Sequence, residues 1–280
     1  MTHQHSADSA IGILDSGVGG LTVVREVFRQ LPNEKILYFG DTLRCPYGPR
    51  SSDEVRRFTL EIVRHLSGYP LKALVIACNT ATALALEEVR HQVDVPVLGV
   101  IEPGARAAIK VSRRGRVGVI GTEGTIRSSA YERALKRIDP RLYVVSLPCP
   151  ALVPLVESGG VENEESRKIL RESLAPLKSH RLESLILGCT HYPLIASMIS
   201  REMGPGVALI SSAEETTREL IAILRGDGLL REGPPCGPEE HRFFTSGRPS
   251  SFRDIAERWL HRRVRVEQAV LPALDESRVG

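Results

Sequence analysis

The chain has 280 residues, enough for two domains of ordinary size, each with its own core. Its 37 basic and 34 acidic side chains leave a net charge of +3, which gives no footprint for a nucleic-acid or membrane-surface partner. No apolar run reaches the ~18 residues of a membrane span. The five cysteines are odd in number, widely spaced and without a Cys-x-x-Cys pair, so a disulfide scaffold and a structural zinc are both poor readings. A reducing, cytoplasmic setting fits best, and no metal site is expected. The polar stretch 1–10 lacks the apolar core of a signal peptide and reads as a flexible tail. Its His3 and His5 are too few to bind a metal.

Residues 11–14 read as a first buried strand, and Gly17-Val18-Gly19-Gly20 as a tight turn opening a helix to Gln30, which Leu31-Pro32-Asn33 breaks. A second strand over 36–39 ends in Gly40-Asp41-Thr42 and leads to a shaped loop, Cys45-Pro46-Tyr47-Gly48-Pro49. Ser51 and Glu54 have capping-box spacing, so a helix follows to about His65. The aliphatic run Ala73-Leu74-Val75-Ile76 then enters Ala77-Cys78-Asn79-Thr80, a helix to about Gln92 and a strand over 95–100. Residues 101–104 read as a hinge into a second half with strands at 116–120, 142–146, 185–187 and 207–210. Helices are expected near 125–138, 150–157 and 164–174. The pairs Ser211/Glu214 and Ser212/Glu215 are spaced to cap another, to Leu224. After a glycine- and proline-rich loop over 226–238, a strand near Phe243-Phe244, a helix over 252–260 and a strand near 264–266 most simply return to the first half.

Continuous aliphatic strands alternating with helices imply parallel sheets covered on both faces. The expected fold class is therefore α/β, with two similar, pseudo-symmetric domains and a cleft between them. The first would comprise 11–101 plus 212–280, and the second 102–211. Similarity of the halves rests on two correspondences in the same order. The strand and glycine-rich turn from Ile11 resemble those from Val117, and the Cys78 segment resembles Ser184-Leu185-Ile186-Leu187-Gly188-Cys189-Thr190-His191. Any two βα units share such strands, but that does not explain paired cysteines.

Each cysteine sits at the carboxyl end of a buried strand and the amino end of a helix. Unpaired N–H groups and the helix dipole there are expected to lower the thiol pKa. Two opposed thiols suit inversion of a stereocentre, one taking a proton from one face while the other delivers a proton to the opposite face. Competing uses fit less well. A pyridoxal cofactor needs a lysine, and none of the six lysines lies in these turns. A disulfide switch needs Cα atoms within about 7 Å, which a ligand between the sulfurs opposes. A single covalent cysteine leaves its twin unexplained. The glycines at 17, 19 and 20 could serve a nucleotide phosphate, yet neither Gly-x-Gly-x-x-Gly nor a Gly-Lys-Ser/Thr loop is present. Ser16, Asn79, Thr80, Thr122, Thr125 and Thr190 offer hydrogen bonds for carboxylates. Asp15, His191 and Glu157 could tune the thiols or relay protons, the alternatives being helix capping, surface charge or a satisfied core histidine. Cys45, Cys149 and Cys236 read as small packing residues or exposed thiols.

The motifs Asp15-Ser16-Gly17-Val18-Gly19-Gly20, Gly40-Asp41-Thr42, Pro46-Tyr47-Gly48, Ala77-Cys78-Asn79-Thr80-Ala81, the 121–126 turn and Leu187-Gly188-Cys189-Thr190-His191-Tyr192-Pro193 together resemble glutamate racemase. The resemblance spans residues 11–260. It implies a cofactor-independent, two-thiol racemase that supplies D-glutamate for bacterial peptidoglycan, built from two facing α/β domains and commonly dimeric. The family's cysteines match Cys78 and Cys189, the latter deprotonating the L form. Its substrate contacts carry over to Asp15, Ser16, Tyr47, Gly48, Asn79, Thr80, Thr190 and His191, with Thr122 and Thr125 as additions. Two departures are Thr82, often serine in the family, and Cys45, where an apolar residue is expected. Aspartate racemases share the two-cysteine plan but typically carry an acidic residue where His191 stands. A non-catalytic sensor of acidic amino acids is the alternative outside enzymes, and it has no need of paired thiols.

Overall fold

The structure, a computed structural model, describes residues 6–159 and 162–271, so His3 and His5 lie outside the described residues. In chain order the strands are β1 (Ala10–Asp15), β2 (Ile36–Gly40), β3 (Leu71–Ile76), β4 (Val97–Gly99), β5 (Arg116–Gly121), β6 (Tyr143–Pro148), β7 (Ser184–Gly188), β8 (Ala208–Ile210), β9 (Arg242–Thr245) and β10 (Val266–Gln268). The helices are α1 (Leu21–Gln30), α2 (Ser52–Leu66), α3 (Asn79–Gln92), α4 (Ile101–Val111), α5 (Glu123–Arg127), α6 (Ala130–Ile138), α7 (Leu152–Glu157), α8 (Glu164–Leu174), α9 (Ala196–Met203), α10 (Ser212–Gly226) and α11 (Pro249–Leu260).

Among the described residues the strands form two wholly parallel sheets, in the orders β10-β9-β2-β1-β3-β4 and β6-β5-β7-β8. Without β9 and β10 the two orders are the same pattern, so β1 corresponds to β5 and β3 to β7. The alternation of side chains across each pleat gives every sheet two buried faces. In β1, Ile11 and Ile13 point into a core shared with α1, α10 and α11, while Leu14 points into another with α2 and α3. Central β5 likewise divides Ile120 from Val117 and Val119.

Local signals hold at several ends and fail at others for identifiable reasons. Ser51 and Glu54 form the expected reciprocal cap on α2. Ser211 precedes α10 but makes no side-chain cap. Glu214 and Glu215 are drawn instead to Arg29, Lys110 and Arg218. The expected hinge at 101–104 is the first turn of α4, where Pro103 loses no intrahelical hydrogen bond because the first N–H groups of a helix have none. The expected helix over 125–138 is two helices, separated where Ser129 adopts φ 54°.

The 1–10 tail also needs correction over its described part. Ala10 opens β1, and its N–H donates to the Pro70 carbonyl at 2.9 Å. Lys72, fully buried, donates through Nζ to the carbonyls of Ala7 and Leu229 and pairs with the buried carboxylate of Glu34. Burial pulls the Lys72 pKa below its ordinary value, although the Glu34 partner opposes this. Removing one member of a buried pair strands the other charge. Lys72→Met should therefore cost about 3–5 kcal/mol of unfolding free energy, read from urea titration. A cost within about 0.5 kcal/mol would show that the pair is not a folding constraint.

Candidate active site

The carboxyl ends of both sheets converge on one small cavity. It is lined by Ser16, Cys45, Pro46, Tyr47, Gly48, Cys78, Asn79, Thr80, Thr122, Val153, Cys189, Thr190 and His191. Its volume of about 20 Å³ is close to that of a single water. Cys78 caps α3, its sulfur accepting from the Ala81 N–H at 3.4 Å and donating to Ser16 Oγ at 3.6 Å. Cys189 follows β7 from the other sheet, its sulfur 3.7 Å from His191 Nδ1. Both cysteines are buried and both thiols are free.

Three residues of the expected set stand behind this cavity rather than on its wall. Asp15, fully buried, accepts from the Gly17 N–H at 2.9 Å and from Thr190 Oγ1 at 3.3 Å, which ties the end of β1 to the Cys189 turn. Glu157, at the end of α7, accepts from or shares a proton with His191 Nε2 at 3.2 Å while remaining partly exposed. Thr125 forms a triangle of hydroxyls with Thr80 and Thr122, with sides of 2.8, 3.2 and 3.0 Å. This triangle joins the amino ends of α3 and α5. Beside it the Gly124 N–H donates to the Gly48 carbonyl at 2.9 Å.

A glycine is demanded where the two turns touch. A Cβ at Gly19 would stand 2.6 Å from His191 Nδ1 and closer still to Thr190 Oγ1. The glycine-rich turn after β1 is thus shaped for close approach of the Cys189 segment.

Tyr47 lines the cavity, but its hydroxyl donates to Asp41 Oδ2. Asp41, fully buried, also takes hydrogen bonds from Arg44 Nε at 2.7 Å and Ser246 Oγ at 2.6 Å. What Tyr47 presents inward is therefore ring and backbone. Cys45, expected as a packing residue or exposed thiol, packs against Gly17, where a Cβ would meet its sulfur at 3.0 Å, and also lines the cavity. Cys149 and Cys236 are buried elsewhere, Cys149 in the α7–α9 core. Sequence reasoning missed Val153, Pro46 and Trp259, whose ring meets His191 edge-on at 6.4 Å. No local signal marks Val153 or Trp259, since both read as core residues of amphipathic helices.

The electrostatics overturn one expectation. Burial, followed by repulsion from Asp15, pushes the Cys78 thiol up to about 12, despite its hydrogen bonds with Ala81 and Ser16, which act downward. Burial likewise raises the Asp15 carboxyl, against attraction to His191. For His191 burial acts downward, but hydrogen bonds to Cys189 and Glu157 and the negative charges of Cys189 and Asp15 win, and its pKa rises to about 10. The site therefore holds a cationic imidazolium beside one sulfur.

A model of the Asp/Glu/hydantoin racemase family matches residues 11–220. The chain belongs to that family. It is an amino-acid racemase in class, as the motifs imply, and so an isomerase. A glutamate racemase of Bacillus cereus is 53% identical over 250 residues, covering 89% of this chain and 92% of the relative. One of Listeria monocytogenes is 53% identical over 252 residues, covering 90% and 94%. Among solved structures, a glutamate racemase isoform of Bacillus anthracis superposes with a TM-score of 0.91 at 51% identity, covering 95% and 99%. That of Francisella tularensis in complex with D-glutamate gives 0.88 at 34%, covering 96% and 100%.

The raised His191 pKa has a consequence for stability. Folding favours the imidazolium, so this contribution is fully present below the unfolded value of 6.5 and is lost as the pH rises toward about 10. The difference in denaturation midpoint between the native chain and His191→Asn should therefore shrink steadily across that window. A difference independent of pH would show that His191 is neutral in the folded state.

Proposed function

We propose that this protein interconverts L- and D-glutamate by proton transfer between two opposed thiols. The observation that carries this reading is the placement of Cys78 and Cys189 after corresponding strands, β3 and β7, on one cavity. In the L-to-D direction Cys189, as thiolate, takes the Cα proton, and Cys78, as thiol, delivers a proton to the opposite face. The roles exchange in reverse, and no cofactor takes part. His191 supplies positive charge beside Cys189, with Glu157 fixing its far nitrogen. Asp15 holds the Thr190 hydroxyl from behind. Ser16, Asn79, Thr80, Thr122 and Thr190, with the backbone at Tyr47 and Gly48, are the hydrogen-bonding set for the substrate carboxylates and ammonium, and Thr125 holds the Thr80 and Thr122 hydroxyls from behind.

Glutamate is the substrate we infer because the relatives named above carry that name at about half identity, and one solved relative is a complex with D-glutamate. The product would serve peptidoglycan synthesis in the cytoplasm, from a homodimer. We also propose that the two sheets mark two domains, 11–101 with 212–280 and 102–211. Because the cavity is far smaller than glutamate, they must part to admit it and close again over it.

Two experiments bear on this reading. Cys78→Ser and Cys189→Ser are nearly isosteric, and each should lower kcat by at least ~1000-fold without shifting the far-UV spectrum, since a serine hydroxyl is a far poorer base. Near-native turnover of either variant would sink the two-thiol mechanism. In deuterium oxide, the first D-glutamate formed should carry deuterium at Cα while unreacted L-glutamate stays protiated. Mass spectrometry of the separated enantiomers would instead find substrate hydrogen in the D product if a single base served both faces.

A further inference from the structure

Asn79 poses a problem that the cavity wall does not resolve by itself. Its side chain is buried, its Oδ1 accepts from the Tyr131 hydroxyl at 2.7 Å, and its Nδ2 is buried without a hydrogen-bond partner. A buried donor left unpaired is costly, so it calls for an acceptor that arrives later. Asn79 lines the cavity, where such an acceptor would be a ligand. A primary amide can turn over, however, and present its carbonyl oxygen instead. Repulsion between that oxygen and a substrate carboxylate would then replace attraction. Something must fix which end faces inward.

Tyr131 lies on α6, behind the opposite sheet, and reaches across to the start of α3. Its ring is held from two sides. A Cβ at Gly188, the residue before Cys189, would stand 3.0 Å from Tyr131 Cε2, and one at Gly104 would stand 3.4 Å from the hydroxyl. Ser212, at the start of α10, stands beside the same point, its Cβ 3.1 Å from where a Gly104 side chain would begin. The single tyrosine proton goes to Asn79 Oδ1, which leaves Nδ2 as the end of the amide that is free for a ligand.

We propose that Tyr131 is a positioning residue that locks the Asn79 amide with its N–H groups toward the cavity, so that they bind a substrate carboxylate. Tyr131 touches no reacting atom and acts only through Asn79. The pair also crosses between the sheets, so the amide is oriented only when α6 and α3 are in register. This rests on the proposed glutamate reading for the identity of the carboxylate ligand.

The test is a double-mutant cycle on KM for L-glutamate with Tyr131→Phe, Asn79→Ala and the double variant. Tyr131→Phe should raise KM roughly tenfold with kcat changed less than about twofold, the mark of lost uniform binding. In the Asn79→Ala background the same substitution should add nothing. Equal effects of Tyr131→Phe in both backgrounds, or no effect on KM in the native chain, would overturn the proposal. If Asn79→Ala itself leaves KM unchanged, the amide does not bind substrate and the proposal falls with that contact. Failure of the two-thiol reading would show separately, in the deuterium experiment. Should Tyr131→Phe not fold, Asn79→Asp decides. It keeps an oxygen acceptor for the tyrosine but turns an oxygen rather than an N–H group toward the cavity, so KM should rise by roughly tenfold or more, and an unchanged KM would overturn the proposal.

Discussion

One buried carboxylate governs how the two sheets meet. Asp15 ends β1, and its two oxygens are divided between its own turn, through the Gly17 N–H, and the opposite sheet, through Thr190 Oγ1. Thr22 adds a second crossing, donating to the carbonyls of both Gly19 and Thr190. These bonds can form only because Gly19 lacks a side chain at the point of contact. The Cys189 turn is therefore placed by groups of the first sheet as well as by its own strand. On the other wall the Thr80–Thr122–Thr125 hydroxyls do the same for Cys78 and its helix.

Much of this was legible from residue order. Aliphatic runs ending in Cys78 and Cys189 marked corresponding strands, and the Ser51/Glu54 spacing marked the start of α2, because those features are set within a few residues of the chain. The misreadings share a physical origin in contacts between distant segments. Ser211 has the right neighbours for a cap, but Glu214 and Glu215 find cations on other helices. Tyr47 was expected among the substrate contacts, and which of its groups faces the cavity is set by a distant partner, the buried Asp41 at the end of β2, which takes its hydroxyl. Tyr131 carried no signal at all, since a tyrosine on an amphipathic helix reads as core until Asn79 is seen opposite it.

The thiols show how magnitude decides between two correct principles. A helix start does favour a thiolate, by about 0.3–1 kcal/mol and up to ~2 in favourable geometry. The rise of the Cys78 pKa from 9 to about 12 corresponds to about 4 kcal/mol in the other direction. Burial in a cavity with room for about one water, next to the Asp15 charge, outweighs the cap. In this closed arrangement Cys78 is a neutral thiol and a proton donor.

That outcome suits a two-thiol reaction better than the lowered pKa first expected. The proton on the α-carbon of an amino acid is very weakly acidic, so a thiolate of ordinary or reduced basicity would leave most of the barrier in place. A sulfur that is reluctant to ionise is, once ionised, a stronger base. The difficulty is to generate it, and the proposed domain motion separates the two demands. With the cleft open, water reaches the sulfur and ionisation is cheap. On the proposed reading, closure then expels the water while the substrate's ammonium supplies positive charge in its place. The asymmetry of the two walls follows the same logic. The imidazolium stands beside Cys189 at 3.7 Å, whereas Cys78 has only a hydroxyl and a backbone N–H as close polar partners. On the proposed reading, one sulfur is thereby poised to begin as the base and the other as the acid.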